Sequence, residues 1–124
     1  MIFGVTVDVF RCDVSFAVDT NEKELKEFFK NNPDAFTEEE RKQKLKDFND
    51  PDVAGVVSEH GTNLFCLLKK KAPADVAHEI FHVAYKMLAA RGVDDEETTA
   101  YLIGYLTEQF YEWMDPETRP HVYD

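Results

Sequence analysis

Residues 2–18 alternate apolar and polar side chains at the two-residue period of a half-buried strand, and the alternation changes phase midway. Val5, Val7 and Val9 share one face, whereas Cys12, Val14, Phe16 and Val18 would fall on the other if the strand ran straight. A bulge or tight turn near Phe10 and Arg11 reconciles the two halves. The chain therefore begins with strand structure that has one strongly apolar face, and some other layer must cover it.

The remaining sequence supplies that cover. Residues 21–50 are charged and helix-forming: Leu25, Phe28 and Phe29 make a short apolar stripe that stops before Pro33. Thr37 followed three residues later by Glu40 is the pattern of a capping box, opening a second helix that reaches about Phe48. Asp50, Pro51 and Asp52 break it. Residues 53–58 and 63–68 read as two strands joined through Glu59, His60, Gly61 and Thr62, and Lys69, Lys70 and Lys71 at the strand end discourage edge-to-edge association. Pro73 and Asp75 suit the first turn of a helix running to Arg91 and stopping at Gly92. Asp94 or Asp95 then caps a last helix that ends near Trp113 or Met114, ahead of Pro116.

Strands first and two long helices after them predict an α+β domain, a small antiparallel sheet with helices packed on one face. At 124 residues the prior is one domain over 1–124. Within it, 1–72 holds the strands and the charged helical insertion 21–50, 73–114 the helix pair, and 115–124 a tail. Lys and Arg number 14 against 25 Asp and Glu, a formal charge of −11 that repels nucleic acid phosphates and anionic membrane surfaces. No apolar run approaches the roughly 20 residues needed to span a bilayer. The N-terminal stretch has no basic start and carries Asp8, so a cleaved leader is not expected and a cytoplasmic location is. Cys12 and Cys66, both in apolar runs, read as buried small hydrophobes in a reducing compartment.

The most informative string is His78-Glu79-Ile80-Phe81-His82. Residues four apart on a helix lie one turn up the same face, so both imidazoles can address one metal ion with Glu79 beside them. Zinc is bound by neutral imidazole and carboxylate ligands and, in catalytic sites, keeps a position for water. A neighbouring Glu can take the proton of the attacking water and later give it to the leaving amine. A third ligand is needed. Glu97, Tyr101, Gly104 and Glu108 recur at spacings of four, three and four, and we read that stripe as facing one made by His78, His82, Tyr85 and Ala89. Ala100 and Gly104 are small enough to admit close helix approach. Glu97, Glu108 and Glu96 are the candidate ligands; a strict antiparallel hairpin favours Glu108.

The string HEIFH followed by EETTAYLIGYL resembles the gluzincin branch of zinc metallopeptidases. It is similar more narrowly to small uncharacterised HExxH metallopeptidases of phages and bacteria, over residues 75–112. The resemblance implies a minimal zincin-like architecture holding Zn2+ through His78, His82 and Glu97, with Glu79 as general base and acid. If phage-encoded, the protein acts in the host cytoplasm. It further implies that the strand before the metal helix, with Leu64, Phe65 and Cys66, forms a sheet edge on which a peptide or protein substrate lies. An oxyanion stabiliser is expected among Tyr101, Tyr85, Tyr105 and His121, with Tyr101 preferred. His60 and His121 otherwise read as surface histidines. The competing expectation is a non-catalytic zinc-binding or acidic interaction module for a basic partner, its metal closed off by Asp124, His121 or Glu108.

Overall fold

The computed structural model describes residues 1–115. Strand β1 (Ile2–Val7) turns back through a 3-10 segment, Asp8–Phe10, into β2 (Cys12–Val18), and the two pair antiparallel with Val7 opposite Cys12 and Phe3 opposite Phe16. The phase change is thus a hairpin. Arg11 closes it in the left-handed region at φ 49°. Val9 leaves the strand face and is 82% exposed, whereas Val5, Val14 and Phe16 stack into one buried layer.

Helix α1 (Glu22–Asn31) is capped by Asn21, whose side chain accepts the backbone N–H of Glu24, and it ends before Pro33. Helix α2 (Glu38–Asn49) opens on the expected capping box, with Thr37 and Glu40 each accepting the other's backbone N–H. Strands β3 (Gly55–His60) and β4 (Asn63–Leu68) form a hairpin turned at Gly61, which takes φ 63°. Helix α3 (Pro73–Ala89) stops at Gly92, φ 68°, where the N–H of Val93 reaches back to the Leu88 carbonyl. Helix α4 (Glu96–Met114) is capped by Asp95.

The α+β class is as expected, with two corrections. The sheet order is β1-β2-β4-β3, and β2 pairs with β4 in parallel, so the sheet is mixed rather than antiparallel. Helices also cover both faces. Val14, Phe16, Cys66 and Leu68 face α3 and α4, whereas Ala17, Phe65 and Leu67 face α1, α2 and Phe36. The reason is chain economy: α1 and α2 carry the chain from β2 across one face, and the β3-β4 hairpin then inserts β4 beside β2. Being central, β4 is buried from Leu64 to Leu68 without alternation. No helix among the described residues is long and apolar enough to cross a membrane. Cys12 and Cys66 are both buried and free.

A charged side chain, that of Lys44, lies against the smaller core. Lys44, 4% exposed, holds its ammonium 5.2 Å from the Phe36 ring centre and 5.4 Å from that of Phe65. Burial lowers its pKa to about 8, partly offset by Glu40 and Asp47. The folded value lies below the unfolded one, so the unfolded chain binds more protons between about pH 8 and pH 10.5, and stability rises with pH across that window. Urea unfolding of wild type and Lys44→Met should show the variant about 2 kcal/mol more stable at pH 7, with the gap closing by pH 10.5.

Candidate metal centre

Helix α3 buries Val76, Ile80, Val83, Ala84 and Met87 against the sheet, which fixes its rotation and turns His78 and His82 away from the core. Their Nε2 atoms lie 3.0 Å apart and the rings meet edge to face at 4.7 Å. Glu79 leans the other way, under β3, with its side chain 7% exposed and Oε1 3.8 Å from His78 Nε2. Among the described residues, His78, Glu79 and His82 form the group of metal-ligating side chains with all donor atoms within 4.8 Å.

Two features suit this group to a divalent cation. Two imidazole nitrogens sharing a tetrahedral zinc at about 2.0–2.1 Å stand about 3.3 Å apart, near the separation found here. Glu79 Oε2 is buried with no hydrogen-bond partner, a costly state for a carboxylate that an adjacent cation or a transferable proton relieves. Burial pushes the Glu79 pKa up; His82 and His78 pull it down, and Asp75 raises it again.

Gly55 makes this placement feasible. A Cβ at that position would stand 2.9 Å from the Leu67 carbonyl oxygen and 3.0 Å from Glu79 Cγ. The carboxylate occupies the volume a side chain on β3 would need. A cavity of about 510 Å³ opens alongside, lined by Asp47, Asp52, Gly55, Asp75, His78 and Glu79.

The other expected site residues lie elsewhere. Glu96 and Glu97 are exposed in the first turn of α4, Glu108 is exposed further along, and none of them joins the group at His78. The inferred facing stripe is corrected: α4 turns Leu102, Leu106 and Phe110 inward, and Tyr101, Gly104 and Glu108 outward. The apolar period of α4 decides its rotation, and the polar stripe one position away follows passively. Nothing lies within 4 Å of a Cβ at Gly104, so no close helix approach occurs there.

Tyr101 is 77% exposed and lines a different cavity with Val7, Phe10, Leu102 and Tyr105. The Tyr105 hydroxyl donates to the Thr6 carbonyl at 3.2 Å. Tyr85 is the tyrosine linked to the histidines: it stacks on Phe81 at 6.2 Å, and Phe81 meets His82 at 6.0 Å. Leu64, Phe65 and Cys66 are in the central strand, hydrogen-bonded on both sides, so they offer no free edge; the edge strand beside Glu79 is β3. His60 is not a surface residue, since 6% of its side chain is exposed. His121, Asp124 and most of the tail at 115–124 lie outside the described residues. Sequence reasoning passed over Gly55, whose signal was a glycine opening a strand. Comparison with protein-family models, with curated proteins and with solved structures finds no match.

Proposed function

We propose that this chain is a zinc-dependent hydrolase of peptide bonds, in which His78 and His82 hold the ion and Glu79 handles the proton. The observation that carries the reading is one turn of α3 converging two imidazole Nε2 atoms, 3.0 Å apart, beside a buried carboxylate oxygen with no partner. When bound, zinc supplies a Lewis acid that polarises the scissile carbonyl and eases deprotonation of water. Glu79 does the rest: its raised pKa suits a carboxylate that takes a proton from the attacking water and returns it to the leaving amine nitrogen. Gly55 and Val57, whose main-chain groups the ladder's alternation directs to the open edge of β3, give an extended peptide partners beside that carboxylate. This moves the expected substrate-binding role from β4 to β3.

One observation favours a second reading. Glu79, and not Glu97, is the third member of the cluster, so the site can also be a two-imidazole, one-carboxylate metal centre without hydrolytic activity. Incubating the zinc-loaded protein with an unbiased peptide mixture, read by mass spectrometry, separates the two. Chelator-sensitive cleavage supports the hydrolase; intact peptides beside zinc-loaded protein support the second reading.

A further inference from the structure

Across the sheet from the histidine pair, three polar side chains that the metal centre does not use form one hydrogen-bonded line. Ser58 and His60 stand two residues apart on β3, so both project toward the α1 and α2 side. The Ser58 hydroxyl is 2.8 Å from His60 Nε2, and His60 Nδ1 is 2.5 Å from Glu40 Oε2. Glu40 is itself fixed, because Oε1 accepts the Thr37 backbone N–H at 2.8 Å in the capping box. A carboxylate accepting from Nδ1–H leaves Nε2 as the acceptor, so the Ser58 O–H donates to it.

The surroundings keep that polarity. His60 is packed edge-on against Phe36 at 4.7 Å; burial pushes its pKa down, the Glu40 hydrogen bond pulls it up and the Lys44 charge lowers it again, which favours the neutral imidazole. Lys44 holds its ammonium over Phe65, the cross-strand partner of Ser58, and puts a positive charge on the same face. The Ala54 carbonyl accepts the Lys69 N–H, and the ladder's alternation then directs the Glu59 N–H to the open edge, next to Ser58. A nucleophile, a base within hydrogen-bond reach and a third group orienting the base are the parts that acyl transfer requires.

We propose that Ser58 is a nucleophile, activated by His60 and oriented through Glu40, that attacks the carbonyl carbon of small carboxylic esters. The Oγ–C bond forms as the Oγ proton passes to His60 Nε2. The C–O bond to the leaving alcohol then breaks as that proton is delivered to the leaving oxygen. Water, deprotonated by the same imidazole, then bonds to the acyl carbon; the Oγ–C bond breaks, the proton on Nε2 returns to Ser58 Oγ and the acid leaves. Glu40 is a positioning residue, acting through His60. This activity is independent of the metal centre.

The test uses the full chain with a fluorophosphonate probe in the presence of EDTA, which removes any contribution from metal at His78 and His82. Intact mass and peptide mapping should find a phosphonyl adduct on Ser58, with fluoride lost, that is absent from Ser58→Ala. His60→Gln should slow labelling about 100-fold. Glu40→Gln keeps a side-chain oxygen for the Thr37 N–H but turns its amide N–H toward His60 Nδ1, which favours the tautomer protonated at Nε2, so labelling should fall about as far as in His60→Gln while the capping box and the fold are kept. No adduct on Ser58 in folded wild type, checked by circular dichroism, overturns the proposal. Labelling that proceeds at the wild-type rate in His60→Gln overturns it as well.

Discussion

Replacing Glu79 by Gln should lower peptide hydrolysis by about 10²–10⁴-fold while the protein keeps its zinc. The amide has nearly the shape of the carboxylate but cannot take a proton from water at neutral pH. His78 and His82, whose Nε2 atoms form the proposed ligand pair, are untouched. The same substitution should raise the stability of the metal-free protein by about 1–3 kcal/mol, because a charged group with a buried, unpartnered oxygen is exchanged for a neutral one. Activity lost, zinc kept and stability gained together are the signature of a base held at a cost. Should Glu79→Gln lose zinc along with activity, Glu79 is a ligand, and the non-catalytic reading takes precedence. Cleavage by Glu79→Gln at the wild-type rate would remove Glu79 from the mechanism.

The second large effect belongs to a residue with no chemistry of its own. Gly55→Ala should destabilise the protein by about 3 kcal/mol and lower hydrolysis at least about tenfold. The added methyl meets the Leu67 carbonyl oxygen at 2.9 Å, an atom of the central strand that cannot rotate away, and Glu79 Cγ at 3.0 Å. Relief requires β3 to shift off β4 or Glu79 to leave its position under the strand. The first costs ladder hydrogen bonds, and the second misplaces the base. Thermal unfolding and cleavage assays on one preparation measure both effects; an unchanged melting temperature would mean that β3 does not press on the carboxylate.

Much of this organisation was legible in the chain itself. The change of alternation phase before Cys12 called for a bulge or a tight turn, and the structure takes the turn, with a 3-10 segment and a left-handed Arg11. Thr37 with Glu40, Gly92, and Asp94 or Asp95 mark helix ends by local chemistry, and of the last two it is Asp95 that caps α4. What failed was non-local. The parallel pairing of β2 with β4 depends on where the chain returns after α1 and α2, which no local pattern encodes, although the unbroken apolar run Leu64–Leu68 was a sign of a strand buried on both faces. The rotation of α4 follows Leu102, Leu106 and Phe110, which have more apolar area to bury, and not the polar stripe of Glu97, Tyr101, Gly104 and Glu108. His60 looked like a turn residue, and its partners Glu40 and Ser58 come from a helix start and a strand that only the tertiary fold brings together.

At the candidate metal centre, the i, i+4 histidine pair and its adjacent glutamate were readable from helical periodicity alone, and the structure assembles them as one cluster. The burial of Glu79 was not readable, because it depends on the approach of β3 and on Gly55. That burial separates this cluster from two exposed histidines that merely share a helix face.

The central claim is that His78 and His82 together hold a metal ion, and elemental analysis by inductively coupled plasma mass spectrometry tests it most directly. Wild type, His78→Ala and His82→Ala are each offered excess zinc and then desalted, with folding checked by circular dichroism. The account predicts about one zinc per wild-type chain and near-complete loss in either variant. Folded wild-type protein that retains no zinc, or variants that retain as much as wild type, would contradict it.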